Sequence, residues 1–231
     1  MNSNKKTARI AGVLYLLVGI FGGFAEGYLE PKMYVAGNAA ATVGNVVADS
    51  GLVRIGVVAD LLDATFFIIL ALVLYVLFKH VRESVARAML VFVVIAVAIT
   101  CLSALFEYEG LQVATGAVDM TSLGTAGSNA VVLLLLDAQH YGLLIAQIFF
   151  GLWLAPLGYL AYKSCWFPKT LGIVLIAACA SYLVDFLAAF LVPNVGKAIH
   201  SFATILPTIA EPWMVLYLLV VGVRTQHNLK D

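Results

Sequence analysis

Charge is what this sequence has least of. Only 11% of its 231 residues are Asp, Glu, Lys or Arg, while 63% are hydrophobic. Soluble domains carry about 25% charged and about 45–50% apolar residues. A water-soluble fold of this composition would expose large apolar areas and aggregate. The formal net charge is zero, so there is no basic footprint for nucleic acid. Cysteine is scarce too. Cys101, Cys165 and Cys179 lie far apart with no CxxC spacing, which argues against a disulfide framework or a thiolate zinc site; they read as small apolar packing residues. The patterns GxSxG, HExxH and GxxxxGK[ST] are missing. No Lys lies in the middle of an apolar run, so a retinal-type Schiff base is unsupported, and no cofactor is predicted. No internal repeat stands out, which speaks against an inverted-repeat transporter.

What the chain does have is long apolar runs. A spanning helix needs about 20 apolar residues at about 1.5 Å rise each. Six stretches meet this, at about 10–29, 52–78, 85–106, 138–162, 168–192 and 198–223. The chain therefore reads as an all-α polytopic membrane protein with six transmembrane helices in one transmembrane domain, the lipid bilayer being its solvent. The first run follows Lys5, Lys6 and Arg9 and resembles a signal peptide. It continues past Ala25, however, and Gly19, Gly23 and Gly27 recur four apart, so we read it as a retained span. That glycine ladder would let another helix approach and is the expected oligomer contact. Pro207 and Pro212 predict a kink in the last span.

Basic residues set the orientation. With the N-terminus inside, Lys5, Lys6, Arg9, Lys79, Arg82, Arg87, Lys163, Lys169, Arg224 and Lys230 are cytoplasmic, and only Lys32, Arg54 and Lys197 are outside. Both termini are thus expected in the cytoplasm. Two outer connections are long, each with a short interfacial helix: 30–51, where Asn38 is placed to cap a helix, and 110–136, which turns apolar at Val131–Leu136. Trp153, Tyr159, Tyr162, Trp166 and Phe167 suit an interfacial aromatic belt.

An ionisable side chain inside a span is costly and marks a candidate site. Glu26, Asp60, Asp63, Glu107, Glu109, Asp137, His140, Asp185, His200 and Glu211 all fall in or at the ends of spans. Asp60 and Asp63 are three apart, as are Asp137 and His140, so each pair shares a helix face. Most map to the outer half, where Arg54 and Lys197 are the cations at hand. The ligand-binding set expected from this is Arg54, Asp60, Asp63, His140, Gln147, Asp185 and Glu211, forming an outer, carboxylate-rich pocket for an ion, a proton or a small polar ligand. Two other readings stand beside it. In one, the polar groups lock helix packing or meet a protein partner. In the other, His140 and His200 with Asp60, Asp137 or Asp185 hold a zinc ion for hydrolysis.

Several stretches together resemble a family. They are Ala8-Arg9-Ile10-Ala11-Gly12 with Tyr15-Leu16; Arg54-Ile55-Gly56 with Ala59-Asp60-Leu61-Leu62; His140-Tyr141-Gly142; Gln147 through Leu154; Pro156-Leu157-Gly158-Tyr159; Phe167-Pro168 with Leu171-Gly172; and Tyr182-Leu183 with Asp185. They resemble the bacterial multi-pass membrane proteins grouped as domain of unknown function 4386. The resemblance implies a bacterial plasma membrane location and draws attention to Arg54, Asp60, His140, Gln147 and Asp185. It implies no activity.

Overall fold

A hydrocarbon solvent offers no partner to a backbone N–H or C=O, so an apolar chain in it must close its hydrogen bonds within helices. The computed structural model describes residues 3–224, apart from the side chains of 193–195 and 197; Lys230 and the Lys197 side chain therefore lie outside the described residues. Among the described residues every regular element is helical. The order is α1 (Ser3–Gly22), a π-helical turn (Gly23–Leu29), α2 (Glu30–Met33), α3 (Ala39–Ala48), α4 (Ser50–Ala114), a 3₁₀ turn (Thr121–Leu123), α5 (Gly124–Leu152), α6 (Leu154–Ser164), α7 (Lys169–Leu191), α8 (Pro193–Ala203) and α9 (Ile205–Val220). Five helices are long and apolar enough to cross a membrane: Ser3–Met33, Ser50–Ala114, Thr121–Ser164, Lys169–Leu191 and Ala198–Val220. Within the 65-residue α4 the backbone becomes extended at Arg82 (φ −160°, ψ 101°), so two apolar arms meet there. That break lies in the basic stretch the sequence places between its second and third spans.

The chain divides into two compact units. One comprises Met1–Leu16, Phe66–Val97 and Ile145–Asp231; the other comprises Leu17–Thr65 and Ala98–Leu144. Most basic residues belong to the first, called here the basic unit, and most acidic residues to the second, the acidic unit.

In the basic unit the prolines decide where helices bend. Pro156 cannot donate to the Leu152 carbonyl four residues earlier, and α5 ends there. Pro207 likewise leaves the Ala203 carbonyl without its helical donor. The Ser181 hydroxyl donates to that carbonyl instead, and a one-residue interruption at Thr204 separates α8 from α9. The last predicted span is thus interrupted for one residue upstream of Pro207, while Pro212 lies within α9. Helices α6 and α7 touch through backbone: a Cβ at Gly158 would lie 2.6 Å from the Gly172 carbonyl oxygen. Gly12 similarly admits α9, with the Leu219 amide 2.9 Å from where a Cβ would be. Two members of the expected aromatic belt are core instead. Trp153 is buried edge-on against Tyr15 and Phe67, and Phe167 is buried against Phe78 and Tyr217.

In the acidic unit the helices outrun the spans read from hydropathy. The second arm of α4 continues to Ala114 and α5 begins at Gly124, so the expected loop of 110–136 shrinks to a short turn. Burial explains the difference. Leu111, Val113, Val132 and Leu136 pack with Leu29, Met33, Val46 and Val53 into one apolar cluster, and a helix is the form in which those side chains can share a face. Asn38 does cap α3, its side chain accepting from the Ala41 amide at 3.0 Å. The glycine ladder does not serve the fold: a Cβ at Gly19, Gly23 or Gly27 would meet nothing within 4 Å among the described residues.

Candidate functional site

The buried acids fall into the two units and are treated differently in each. In the acidic unit, Asp60, Asp63 and Glu107 are only 4%, 6% and 8% exposed. Asp60 and Glu107 come from the two arms of α4 and lie within hydrogen-bonding distance of each other. Glu26 is half-buried on the π-helical turn and lies close enough to feel the charges of Asp60, Asp63 and Glu30. A π turn inserts an extra residue into the helical spiral and so re-aims side chains, and it recurs at functional sites. Two glycines make the space: a Cβ at Gly22 would lie 3.3 Å from Asp63 Oδ1, and one at Gly56 would collide with Leu29, 3.6 Å from Glu107 Oε1. The cations do not sit among these acids. Lys32 pairs with Asp49 at 2.8 Å, and Arg54 is exposed. Thr100 lies on the Glu107 face of α4, seven residues or about two turns away. It is buried, and its hydroxyl has no hydrogen-bond partner among the described residues.

A second, more exposed polar group belongs to the same unit. The His140 Nδ1 atom contacts Glu30 Oε1. The Tyr34 ring stacks on the His140 ring at 5.0 Å, and its hydroxyl donates to Asp137 Oδ1 at 2.6 Å. Desolvation, followed by the Asp137 contact, raises the Tyr34 pKa above its usual value. Asp137 and His140, expected on one helix face, are thus held by Tyr34 and Glu30 at the two ends of α2.

In the basic unit the buried Asp185 and the half-buried Glu211 each meet two partner side chains. Asp185 Oδ2 accepts from Gln147 Nε2 at 2.7 Å and lies 2.8 Å from His200 Nδ1. Glu211 accepts from the Tyr15 hydroxyl at 2.7 Å and the Tyr182 hydroxyl at 3.1 Å, one phenol on each carboxylate oxygen. His200 lies in α8 and Glu211 in α9, on either side of Thr204.

Among the described residues no three His, Cys, Asp or Glu side chains form a group able to hold a metal. The zinc candidates divide instead: Asp60, Asp137 and His140 lie in the acidic unit, Asp185 and His200 in the basic unit. Two open cavities lie apart from the carboxyl cluster. One of about 450 Å³ in the acidic unit is lined by Asp119, Thr121, Thr125, Ser128 and Asn129 with neighbouring apolar residues. The other, about 430 Å³ in the basic unit, is lined by Ala177, Ala180, Ser181, Val184, Ile199, Phe202, Ala203 and Leu206.

The model of the family described as "Domain of unknown function (DUF4386)" matches residues 10–222. The chain belongs to that family. No curated protein and no solved structure matches it. The family match encloses every candidate residue named above.

Sequence reasoning missed Glu30, Tyr34, Tyr15 and Tyr182. Glu30 had a signal: it follows Glu26 by four residues, one helical turn, but hydropathy ends the first span before it. Tyr15 and Tyr182 had a weaker one, since a phenol inside an apolar run needs a partner.

Proposed function

We propose that the chain is a plasma-membrane protein whose acidic unit binds and releases protons at the Asp60–Glu107 pair, with Glu26 and Asp63 as electrostatic neighbours. The observation that carries this is the pair itself: two carboxyl groups within hydrogen-bonding distance, more than nine-tenths buried, in a unit with nine acidic and two basic residues. Two like charges this close and this buried disfavour ionising together, so the pair holds a proton that can be exchanged. The closeness of the two carboxyl groups favours a shared proton over a bulkier ligand, and among the described residues no three His, Cys, Asp or Glu side chains form a metal-holding group. The buried Thr100 hydroxyl offers a further polar atom on the Glu107 face for a water accompanying the proton.

This reading takes the chain to cross the membrane six times, the two arms of α4 counting separately, with both termini and the Arg82 turn on the cytoplasmic side. The test is thermal unfolding of the purified protein across a pH series and a panel of cations. The proposal expects the midpoint of the wild type to move with pH and that movement to disappear in Asp60→Asn/Glu107→Gln. Identical pH profiles for the two proteins would overturn it.

A packing role is the second reading for the basic unit alone. Glu211 and Asp185 each have donors on hand from other helices, the arrangement by which polar side chains tie helices in lipid.

A further inference from the structure

We infer that His140 and Glu30 are the proton-access residues of the acidic unit, carrying protons between outer water and the buried Asp60–Glu107 pair. The inference rests on the proton-binding reading above and adds its route.

Exposure falls in steps along these groups. The His140 side chain is 33% exposed, Glu30 19%, Glu107 8% and Asp60 4%. The outer step is a contact, and the inner one lies within electrostatic reach. His140 Nδ1 touches Glu30 Oε1, and Glu30 lies near enough to Asp60, Glu107 and Glu26 for its charge to act on all three. Only one residue type in this chain has two ring nitrogens that can each donate or accept, with a proton affinity near neutrality. The neighbours of His140 hold it in position rather than compete. Tyr34 stacks on its ring while bound to Asp137, and Tyr141 meets it edge-on at 5.4 Å.

The transfer balances atom by atom. Nε2 of a neutral imidazole carrying its hydrogen on Nδ1 takes a proton from outer water. The imidazolium then gives its Nδ1 proton to the Glu30 carboxylate. Glu30 passes a proton to the Asp60–Glu107 pair and returns to carboxylate. Release runs the same steps backwards, which restores the Nδ1–H tautomer; no oxidant, metal or co-reactant is involved. Among the described residues the buried Thr100 hydroxyl, about two turns from Glu107 on its face of α4, has no hydrogen-bond partner, which leaves it open to a water on that face.

The test is a pH jump on the full-length protein in lipid nanodiscs, following the protonated-carboxyl infrared band in time. Glu107→Gln first identifies the band. His140→Gln keeps a hydrogen-bonding group beside Glu30 but carries no proton at neutral pH. It should slow the band's response about a hundredfold, the scale of a positioned acid–base group, with the end-point amplitude kept and added imidazole restoring speed. Glu30→Gln should slow it as well, without imidazole rescue. An unchanged rate in both variants overturns the route while leaving the binding site standing. A band insensitive to Glu107→Gln overturns the proton-binding reading itself. Should His140→Gln fail to fold, His140→Asn and Tyr34→Phe provide the same comparison, the latter expected to slow the response less because it only frees the ring.

Discussion

Nine of the thirteen acidic residues lie in the segments of the acidic unit together with two of the thirteen basic ones; the segments of the basic unit hold four and eleven. The difference goes beyond number. In the basic unit a carboxylate within the apolar helices meets neutral donors or an imidazole, two phenols for the half-buried Glu211, an amide and an imidazole for the buried Asp185. In the acidic unit buried carboxyls meet one another. Placing a charge in a poorly solvating interior is costly, and the two units compensate differently. One supplies hydrogen bonds that keep the group where it is. The other, on the proposed reading, leaves a proton as the group that relieves the repulsion.

That comparison can be broken by mutation. The largest effect is expected where the basic unit is held by backbone contact. Gly158→Leu would force α6 away from Gly172 and cost about 3 kcal/mol, seen as lost folded yield and a lower unfolding midpoint in detergent. Next comes Glu211→Ala, which strips both Tyr15 and Tyr182 of their acceptor. We expect a loss of about 2 kcal/mol by thermal unfolding, with the pH dependence of the wild type retained. The double change Asp60→Asn/Glu107→Gln should cost less, within about 1 kcal/mol of wild type, and should flatten the pH profile. If Glu211→Ala flattened the profile and the double change did not, the division of labour between the units would be reversed.

The smallest effect concerns Asp119, an exposed acid in the same unit that has donors of its own. The Thr121 amide and then its hydroxyl lower the Asp119 pKa below the usual carboxylate range. A depressed folded value stabilises the fold above the unfolded pKa, and the contribution is lost as pH falls through the folded one. Asp119→Asn should therefore remove a slight acid-side slope in hydrogen exchange of the Thr121 amide and leave the neutral-pH profile unchanged.

The membrane-spanning helices were legible because hydropathy over about 20 residues is a strong signal, and the basic turn at Arg82 fell where charge interrupts it. The ends were not. Residues 124–136 and 107–114 form helix because Val132, Leu136, Leu111 and Val113 have partners to bury against, and pairing between distant segments leaves no mark on local hydropathy. Asp60, Asp63, Asp185 and Glu211 were visible as charges in apolar runs. Which of them meet was not visible, since that depends on how helices are rotated against each other. Arg54 was expected beside the acids on grounds of span alone; its helix face turns it to the exterior. Glu30 and Tyr34 escaped notice because the first helix continues through a π turn beyond the point where its apolar run ends.

The most direct measurement is equilibrium infrared spectroscopy of the protonated-carboxyl band, titrated in wild type, Asp60→Asn, Glu107→Gln and Asp185→Asn. The account predicts a band that titrates in wild type and in Asp185→Asn and is lost or displaced in Asp60→Asn and Glu107→Gln. A band that ignores Asp60 and Glu107, or one that vanishes with Asp185 alone, would contradict it.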